Sequence, residues 1–192
     1  MNEFVFCPNC GDYKNVTVKQ EIETYTVRGE QITISAEVAY CDCCGEQVWA
    51  DKYDNANLKR AYDAYRIKNN LLLPEQIRAI REKYGLTQVA FARVLGLGDK
   101  TIARYENGSI QDAANNSLLA VSDKPDVMRY LLDLNKASFS QREYERIKQA
   151  IDVLKVSVVS KSFSCEANYS AERSKYKIES KDLYWGGLSY AG

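Results

Sequence analysis

The spacing of apolar positions changes along the chain, from strict alternation before residue 50 to helical spacing after it. In residues 16–27 and 31–40, β-branched and aromatic side chains alternate with polar ones, and Arg28-Gly29-Glu30 separates the two segments. Alternation with a period of two is typical of strands that bury one face. The pattern therefore predicts a β-hairpin that turns at residues 28–30.

Residues 53–68 begin the helical part of the chain. The less polar positions of this predicted helix, which favour a packed stripe, are Tyr53, Ala56, Ala61, Tyr62 and Tyr65. Asn69-Asn70 and Pro74 interrupt the helical spacing and indicate a linker between two domains. The next helix is predicted at residues 75–84, with Ile77, Ile80 and Tyr84 facing inward.

Residues 85–108 show the pattern of two short helices joined by a glycine-bearing turn. Thr87 is positioned to cap the first helix. Gly96-Leu97-Gly98 permits a sharp turn, Asp99 restarts a helix, and Gly108 ends it. The predicted inward positions are Val89, Ala90, Val94, Leu95, Ile102 and Tyr105.

The second of these helices leaves Lys100, Thr101 and Arg104 facing outward. This is the layout of a DNA-reading helix-turn-helix, whose second helix lies in the major groove. An α-hairpin inside a helical bundle is the alternative interpretation. Two further helices are predicted at residues 112–120 and 125–135, and the shared core would come from Leu118, Leu119, Val127, Met128, Leu131, Leu132 and Leu134.

Five of the six cysteines lie within the first 44 residues. Two Cys-x-x-Cys pairs are typical of a four-thiolate site for one structural Zn²⁺, and the predicted ligands are Cys7, Cys10, Cys41 and Cys44. Cys43 is the additional cysteine; an exchange of roles between Cys41 and Cys43 is one alternative, and two disulfides are another. We expect Gly11 and Gly45 to turn backbone N–H groups toward the sulfurs. Because so small a sheet has little core, the metal should supply much of its folding free energy.

Composition narrows the possible functions. The chain has 26 Lys and Arg against 26 Asp and Glu, so its net charge does not indicate nucleic-acid binding. A sequence-specific DNA-binding protein needs only a local basic stripe, so the balance does not exclude this function either. It has no histidine, which removes serine–histidine and cysteine–histidine catalysis, and we expect no enzyme. No apolar run is long enough to span a membrane and the first residues do not resemble a signal peptide, so we expect a soluble, cytoplasmic protein.

Residues 139–154 predict one more helix, and Ser140 and Glu143 have the spacing of a capping box. Its apolar stripe is Tyr144, Ile147, Ile151 and Leu154. Packing on the helical domain is the expected role of this helix, and extension of a dimer interface is the alternative. Beyond Val156 the chain is rich in Ser, Tyr and Lys, which leaves strands, disorder or a partner-binding segment open.

The two cysteine pairs, the hairpin sequence Tyr25-Thr26-Val27-Arg28-Gly29 and the helix-turn-helix together resemble the MqsA antitoxin family over residues 4–138. The resemblance implies an α+β chain with a zinc-binding and toxin-binding domain at 1–69 and a five-helix Cro/repressor (Xre)-type domain at 70–138 for DNA binding and dimerisation. This chain departs from the family's shorter members by a C-terminal extension at 139–192, whose role is unknown.

The resemblance also implies partners and site residues. They are one structural zinc ion, a second copy of the chain, a palindromic operator in the protein's own promoter and a cognate toxin. The family's second base-reading position, an arginine, matches Arg104, whereas the first, an asparagine, is Lys100 here, so the operator sequence need not be shared. Lys100 and Thr101 contact phosphates in an alternative assignment. Thr87 and Gln88 are candidates for phosphate contacts that position the protein.

The predicted function is that of an antitoxin that also represses its own operon. A free-standing zinc-containing transcriptional regulator without a toxin is the alternative. A nucleic-acid-modifying enzyme would require an acidic cluster that the sequence does not show. Because two domains with separate cores are predicted, we expect DNA binding to survive removal of the metal largely intact.

Overall fold

A computed structural model describes residues 4–159 of the chain. Among these residues it has four strands and seven α-helices, which confirms the predicted α+β class. The strands are β1 (Phe4–Cys7), β2 (Asp12–Val27), β3 (Glu30–Cys41) and β4 (Gln47–Val48). The helices are α1 (Asp51–Lys68), α2 (Pro74–Lys83), α3 (Gln88–Val94), α4 (Thr101–Glu106), α5 (Ala113–Ser122), α6 (Pro125–Leu134) and α7 (Gln141–Val159), with a 3₁₀ turn at Lys136–Ser138.

The predicted hairpin is formed by β2 and β3, which pair antiparallel from Val16↔Cys41 to Val27↔Glu30. Only Arg28 and Gly29 lie in the turn, with φ angles of 49° and 83°. Two central residues with positive φ match the right-handed twist of the flanking strands. The turn is therefore tighter than predicted, and Glu30 already belongs to β3.

Helix α1 covers one face of the hairpin and gives it a core. The buried residues of this cluster are Val27, Ile32, Ile34, Ala36, Val38, Ala61 and Tyr65. Asn57 of α1, buried within the packing, accepts a hydrogen bond from the Glu37 backbone N–H at 2.9 Å and donates to the Glu37 carbonyl at 2.8 Å. This side chain therefore takes the place of a neighbouring strand at that point of β3.

Helices α2–α7 share a separate apolar core. Its buried residues are Ile77, Ile80, Tyr84, Leu86, Phe91, Ala92, Val94, Leu95, Ile102, Leu119, Met128, Leu132, Tyr144, Ile147 and Ile151. The inward positions predicted for α2 are confirmed. The assignment of α2–α6 to a Cro/repressor-type domain stays a prediction.

Two positions predicted for this core are exposed. Val89 is 40% exposed and Leu134 is 66% exposed. Each lies two residues from a buried neighbour, Phe91 and Leu132 respectively, and two residues turn an α-helix by about 200°. Because those neighbours take the inward positions, Val89 and Leu134 face solvent.

Helix α7 begins as the capping box predicts. The Glu143 carboxylate accepts from the Ser140 backbone N–H at 3.2 Å, and the Ser140 hydroxyl oxygen accepts from the Glu143 N–H at 3.3 Å. Tyr144, Ile147 and Ile151 are buried in the helical core, so the packing role of this helix is confirmed. The segment after Val159, including Cys165, lies outside the described residues.

Two arginines of the hairpin and α1 contact the loop that follows α4. Arg28 donates to the carbonyl oxygens of Ile110 and Gln111 at 2.5 and 3.2 Å. Arg66, which is buried, donates to the Gly108 carbonyl at 2.6 Å. The described residues up to Lys155 belong to one compact unit, and of the second, which starts at Val156, only the end of α7 is described. The proposed domain boundaries at residues 69 and 138 stay predictions.

Between residues 4 and 159 no helix combines the length and the hydropathy needed to cross a membrane.

Candidate metal centre and candidate nucleic-acid interface

The structure brings together the four cysteines that the spacing predicts. The sulfur atoms of Cys7, Cys10, Cys41 and Cys44 all lie within 4.8 Å of one another. The Cys7–Cys44 and Cys10–Cys41 sulfur pairs are 3.5 and 3.9 Å apart. A tetrahedral zinc with Zn–S bonds of about 2.3 Å separates its sulfurs by about 3.8 Å. The four thiols therefore fit one tetrahedral metal ion of zinc's size.

The structure also separates the alternatives for these cysteines. Cys43 is exposed and lies outside the cluster, whereas Cys41 is buried within it. All five cysteines in the described residues are free, and the sulfur distances above exceed the ~2.05 Å of a disulfide. The arrangement favours Cys41 over Cys43 as a ligand, and a metal site over two disulfides.

Tight turns present each pair of sulfurs. Gly11 and Gly45 adopt φ angles of 65° and 76°, and their N–H groups donate to the carbonyl oxygens of Cys7 and Cys41 at 2.9 and 2.8 Å. The expectation that backbone N–H groups turn toward the sulfurs is confirmed at Cys7, whose sulfur is contacted by the N–H of Cys10 at 3.4 Å. The glycines close the turns, and the cysteines themselves supply the polar contact.

The pKa values of the thiols differ within the cluster. Hydrogen bonds from the Glu46 backbone and the Asn9 side chain lower the pKa of the Cys44 thiol to about 6, while the neighbouring Cys44 raises the pKa of the Cys10 thiol. Because metal-bound cysteines are thiolates, binding a metal must release protons from this cluster. Metal affinity should therefore weaken as the pH falls.

Helices α3 and α4 are joined by a short connection at residues 95–100, and hydrogen bonds stabilise both the start of α3 and this connection. The Thr87 hydroxyl oxygen accepts from the Ala90 N–H at 3.1 Å, which confirms the predicted cap of α3. Gly96 has a φ of 69°, a region that glycine enters at little cost. Asp99 accepts two hydrogen bonds from Arg93 at 3.1 and 3.0 Å. Helix α4 begins only at Thr101, two residues later than predicted, because Asp99 belongs to the turn.

The candidate reading residues lie at the start and on one side of α4. Lys100 and Arg104 are exposed, and Thr101 is half-buried. Ile102, between them in sequence, is fully buried in the helical core and anchors the opposite side of the helix. This geometry leaves two cations and one hydroxyl facing outward from an anchored short helix.

The remaining two candidates for DNA contacts, Thr87 and Gln88, already make hydrogen bonds within the protein. The Thr87 side chain is exposed, but its oxygen caps α3. The Gln88 amide nitrogen donates to the Glu106 carboxylate at 2.8 Å. Gln88 therefore has a structural contact that the sequence analysis did not anticipate.

Glu106 is a buried charged residue that supports the α3–α4 segment and that the sequence pattern did not predict. Its side chain is buried and accepts from Arg81 at 2.6 and 3.0 Å, with Arg78 at 3.5 Å. Burial raises the pKa of this carboxyl, but the hydrogen bonds from Arg81 and Gln88 outweigh that effect, and the pKa is lowered overall. One carboxylate thus connects α2, α3 and α4. Its position four residues after the inward Ile102 is the pattern that would have revealed it.

Comparison with known families shows a match over most of the chain. The sequence model of the MqsA_antitoxin family, described as the antitoxin component of the bacterial toxin-antitoxin system MqsA, matches residues 5–131. This span is 127 of the 192 residues and contains both cysteine pairs and the α3–α4 segment. Among curated proteins, none matches the chain.

Proposed function

The chain belongs to the MqsA family of antitoxins, components of bacterial toxin-antitoxin systems, and we propose that it binds a cognate toxin and represses its own operon. In this proposal the zinc module at residues 1–69 holds the toxin, and the helical domain reads DNA. The observation that carries the DNA-binding part is the outward face of α4, where Lys100 and Arg104 project from a helix whose other side is anchored by Ile102.

The proposed readout follows from side-chain chemistry. Arg104 presents a planar fork that pairs with guanine O6 and N7 in the major groove, and Lys100 can reach the same atoms. Thr101 and the exposed Thr87 contact phosphates, which fix the register of the protein without specifying sequence. We assign Gln88 a smaller role at the DNA than the sequence indicated, because its amide is held by Glu106.

We propose that two copies of the chain bind a palindromic operator together. A dimer that places its reading helices in successive major grooves requires half-sites about 34–36 Å apart, or 10–10.5 base pairs. Operator affinity should fall steeply with salt because phosphate contacts release counterions. The metal proposed for the four-cysteine cluster is one Zn²⁺, held structurally, because four protein thiolates complete its coordination.

The first test of DNA readout is the substitution Arg104→Ala. We expect operator affinity to fall by about 1–3 kcal/mol at fixed salt, because the bidentate pair with a guanine is lost. The measurement is an equilibrium titration with labelled operator duplex. Lys68→Ala is the matched control: it removes one positive charge from α1, where Lys68 makes an exposed ion pair with Glu30 at 2.8 Å. Equal affinities for wild type and Arg104→Ala would contradict the assignment.

The toxin is tested by capture from the native host. The tagged full-length chain should retain a small stoichiometric protein encoded next to its own gene, and the Cys41→Ser/Cys44→Ser chain should lose it because the hairpin module no longer folds around a metal. The measurement is mass spectrometry of the eluted complex. Operator binding without any protein partner would instead favour a free-standing regulator.

A further inference from the structure

We propose that the free edge of β2 between Val18 and Thr26 receives an extended, basic segment of the cognate toxin as an additional strand. This inference rests on the proposed toxin binding by the zinc module and assigns the surface within it. In such strand addition, main-chain hydrogen bonds supply affinity, and pockets beside the edge that accept alternate side chains supply specificity. Both features occur along β2.

The edge is long and unpaired. Strand β1 pairs with β2 only from Asp12 to Asn15, and from Val16 onward β3 is the only partner of β2 among the described residues. Because Val27↔Glu30 closes the two-residue turn as a hydrogen-bonded pair, alternate residues of β2 direct their N–H and C=O groups away from β3. The outward residues are Val18, Gln20, Ile22, Thr24 and Thr26.

The opposite edge of the hairpin, on β3, is covered by other parts of the chain. On β3, the outward N–H and C=O of Glu37 are both bonded by Asn57, and Ala39 pairs with Val48 of β4. Proteins usually cover or blunt free edges because they attract other chains. On β2, by contrast, the middle of the free edge carries Ile22, an aliphatic side chain that is 75% exposed.

A groove of about 540 Å³ is lined by residues 23–25 of β2 together with Gln47, Trp49, Asp54 and Leu58. Trp49 is 66% exposed. The groove offers an exposed indole and an aliphatic surface to the side chains of a strand laid along β2.

The charge of the groove selects the partner. Its lining contains the carboxylates of Glu23 and Asp54 and, within the described residues, no lysine or arginine. Residues 1–70 as a whole carry eleven acidic and eight basic side chains. A strand with lysine or arginine at the positions that face the groove is therefore favoured over a neutral or acidic one.

A second copy of this chain fits the edge less well in the register centred on Ile22, the exposed aliphatic residue at the middle of the edge. Two β2 strands paired antiparallel about Ile22 would place Glu21 of each copy opposite Glu23 of the other. Like charges directly opposite destabilise a strand pair. The occupant that the edge favours is therefore a basic strand from another protein, and the toxin is the partner that membership of the family implies.

The test uses a proline placed at an outward N–H. Ile22→Pro removes one donor of the free edge and leaves the β2–β3 ladder intact, because proline is tolerated where the N–H faces away from the sheet. Ser35→Pro is the matched control, since Ser35 lies directly opposite Ile22 on β3 and directs its N–H to the other edge. We expect Ile22→Pro to weaken toxin binding by about fivefold to tenfold, because one main-chain hydrogen bond is lost. Ser35→Pro should leave toxin binding unchanged, as measured by calorimetry with purified full-length chains.

A second measurement needs no substitution. Amide hydrogen exchange of Gln20, Ile22 and Thr24 in the wild-type chain should slow when the toxin is added, because these N–H groups become bonded to the added strand. Toxin binding with unchanged exchange at these amides, or with equal affinity for Ile22→Pro, would overturn the edge assignment and leave the proposed function standing. If no toxin binds the wild-type chain, both fail. If Ile22→Pro alters the oligomeric state of the chain alone, the edge pairs copies of this chain and not the toxin.

Discussion

Replacing Cys41 by serine should unfold the hairpin module and release its metal, while the helical core stays folded. The four sulfurs within 4.8 Å of one another are the centre of the small cluster that also buries Ala39, Val48 and Ala50. Structural zinc sites supply about 10–16 kcal/mol of apparent binding free energy, and this becomes folding free energy. We therefore expect a large loss of β-sheet signal in circular dichroism and near-zero metal content by elemental analysis.

The matched control for this substitution is Cys43→Ser. Cys43 is exposed and outside the cluster, so metal content and the circular dichroism spectrum should remain those of the wild type. If Cys43→Ser released the metal and Cys41→Ser did not, the two neighbouring cysteines would have exchanged roles.

The same variant tests how strongly the two halves depend on each other. The core of α2–α7 contains no residue of the hairpin, which supports survival of DNA binding. However, Arg28 and Arg66 bond three carbonyl oxygens in the loop directly after α4. A typical hydrogen bond contributes about 1 kcal/mol, so the three together contribute about 3 kcal/mol, and about 1.4 kcal/mol corresponds to a factor of ten in affinity. Because the α2–α7 core still holds α4 and only part of this loss reaches it, we expect Cys41→Ser to weaken operator affinity by less than about a hundredfold. Abolished binding would show that these contacts hold α4 in its reading position.

Local sequence patterns predicted the parts of the fold that short-range chemistry determines. The cysteine pairs, the Thr87 cap and the reciprocal bonds of Ser140 with Glu143 each involve residues a few positions apart, and the structure has all three. The hairpin turn predicted at residues 28–30 lies at Arg28 and Gly29. Within each cysteine pair, the cap and the capping box, the partners lie in one short stretch of sequence. The two cysteine pairs are 31 positions apart from Cys10 to Cys41, and they are recognised as one site because both have the Cys-x-x-Cys spacing.

The contacts that the sequence did not predict join residues far apart in the chain. Arg28 meets Gln111 and Arg66 meets Gly108, and no periodicity relates such positions. An arginine at position 28 or 66 could equally lie in solvent. Only the packing of the hairpin and α1 against the α4–α5 loop shows that these two arginines bond its carbonyl oxygens. The inward prediction for Val89 is wrong for a different reason. Val89 and Phe91 lie two positions apart in a short helix and cannot both face the core, and Phe91 is the buried one.

Replacing Glu106 by alanine should destabilise the helical core by about 3–5 kcal/mol, because the mostly buried Arg81 guanidinium loses the buried carboxylate that accepts two of its hydrogen bonds. The Glu106 side chain is fully buried and that of Arg81 is only 12% exposed. The loss also frees Gln88, the first residue of α3. Since α2, α3 and α4 all meet at this carboxylate, the variant should bind operator less tightly as well. Urea unfolding followed by helical circular dichroism measures the change in stability.

Glu82→Ala separates the effect of burial from the loss of a negative charge near Arg81. Glu82 makes an ion pair with the same arginine at 3.3 Å, but its side chain is 60% exposed. An exposed pair contributes about 0–1 kcal/mol, so this variant should be almost as stable as the wild type. Equal losses in the two variants would mean that the buried carboxylate has no special role.

The dependence of stability on pH distinguishes a charged Glu106 from a neutral one. Its pKa is lowered in the folded chain, so the stabilisation is present above the ordinary glutamate pKa of about 4.3 and is lost as the pH falls through the lower folded value. Glu106→Gln keeps the shape of the side chain and removes this titration. The difference in unfolding free energy between wild type and Glu106→Gln should therefore be constant near neutral pH and shrink below about pH 4. A difference that did not change with pH would show that folding leaves the pKa of Glu106 unshifted. A wild-type stability that fell relative to Glu106→Gln as the pH rose above about 4.3 would show that the carboxyl is neutral in the folded protein.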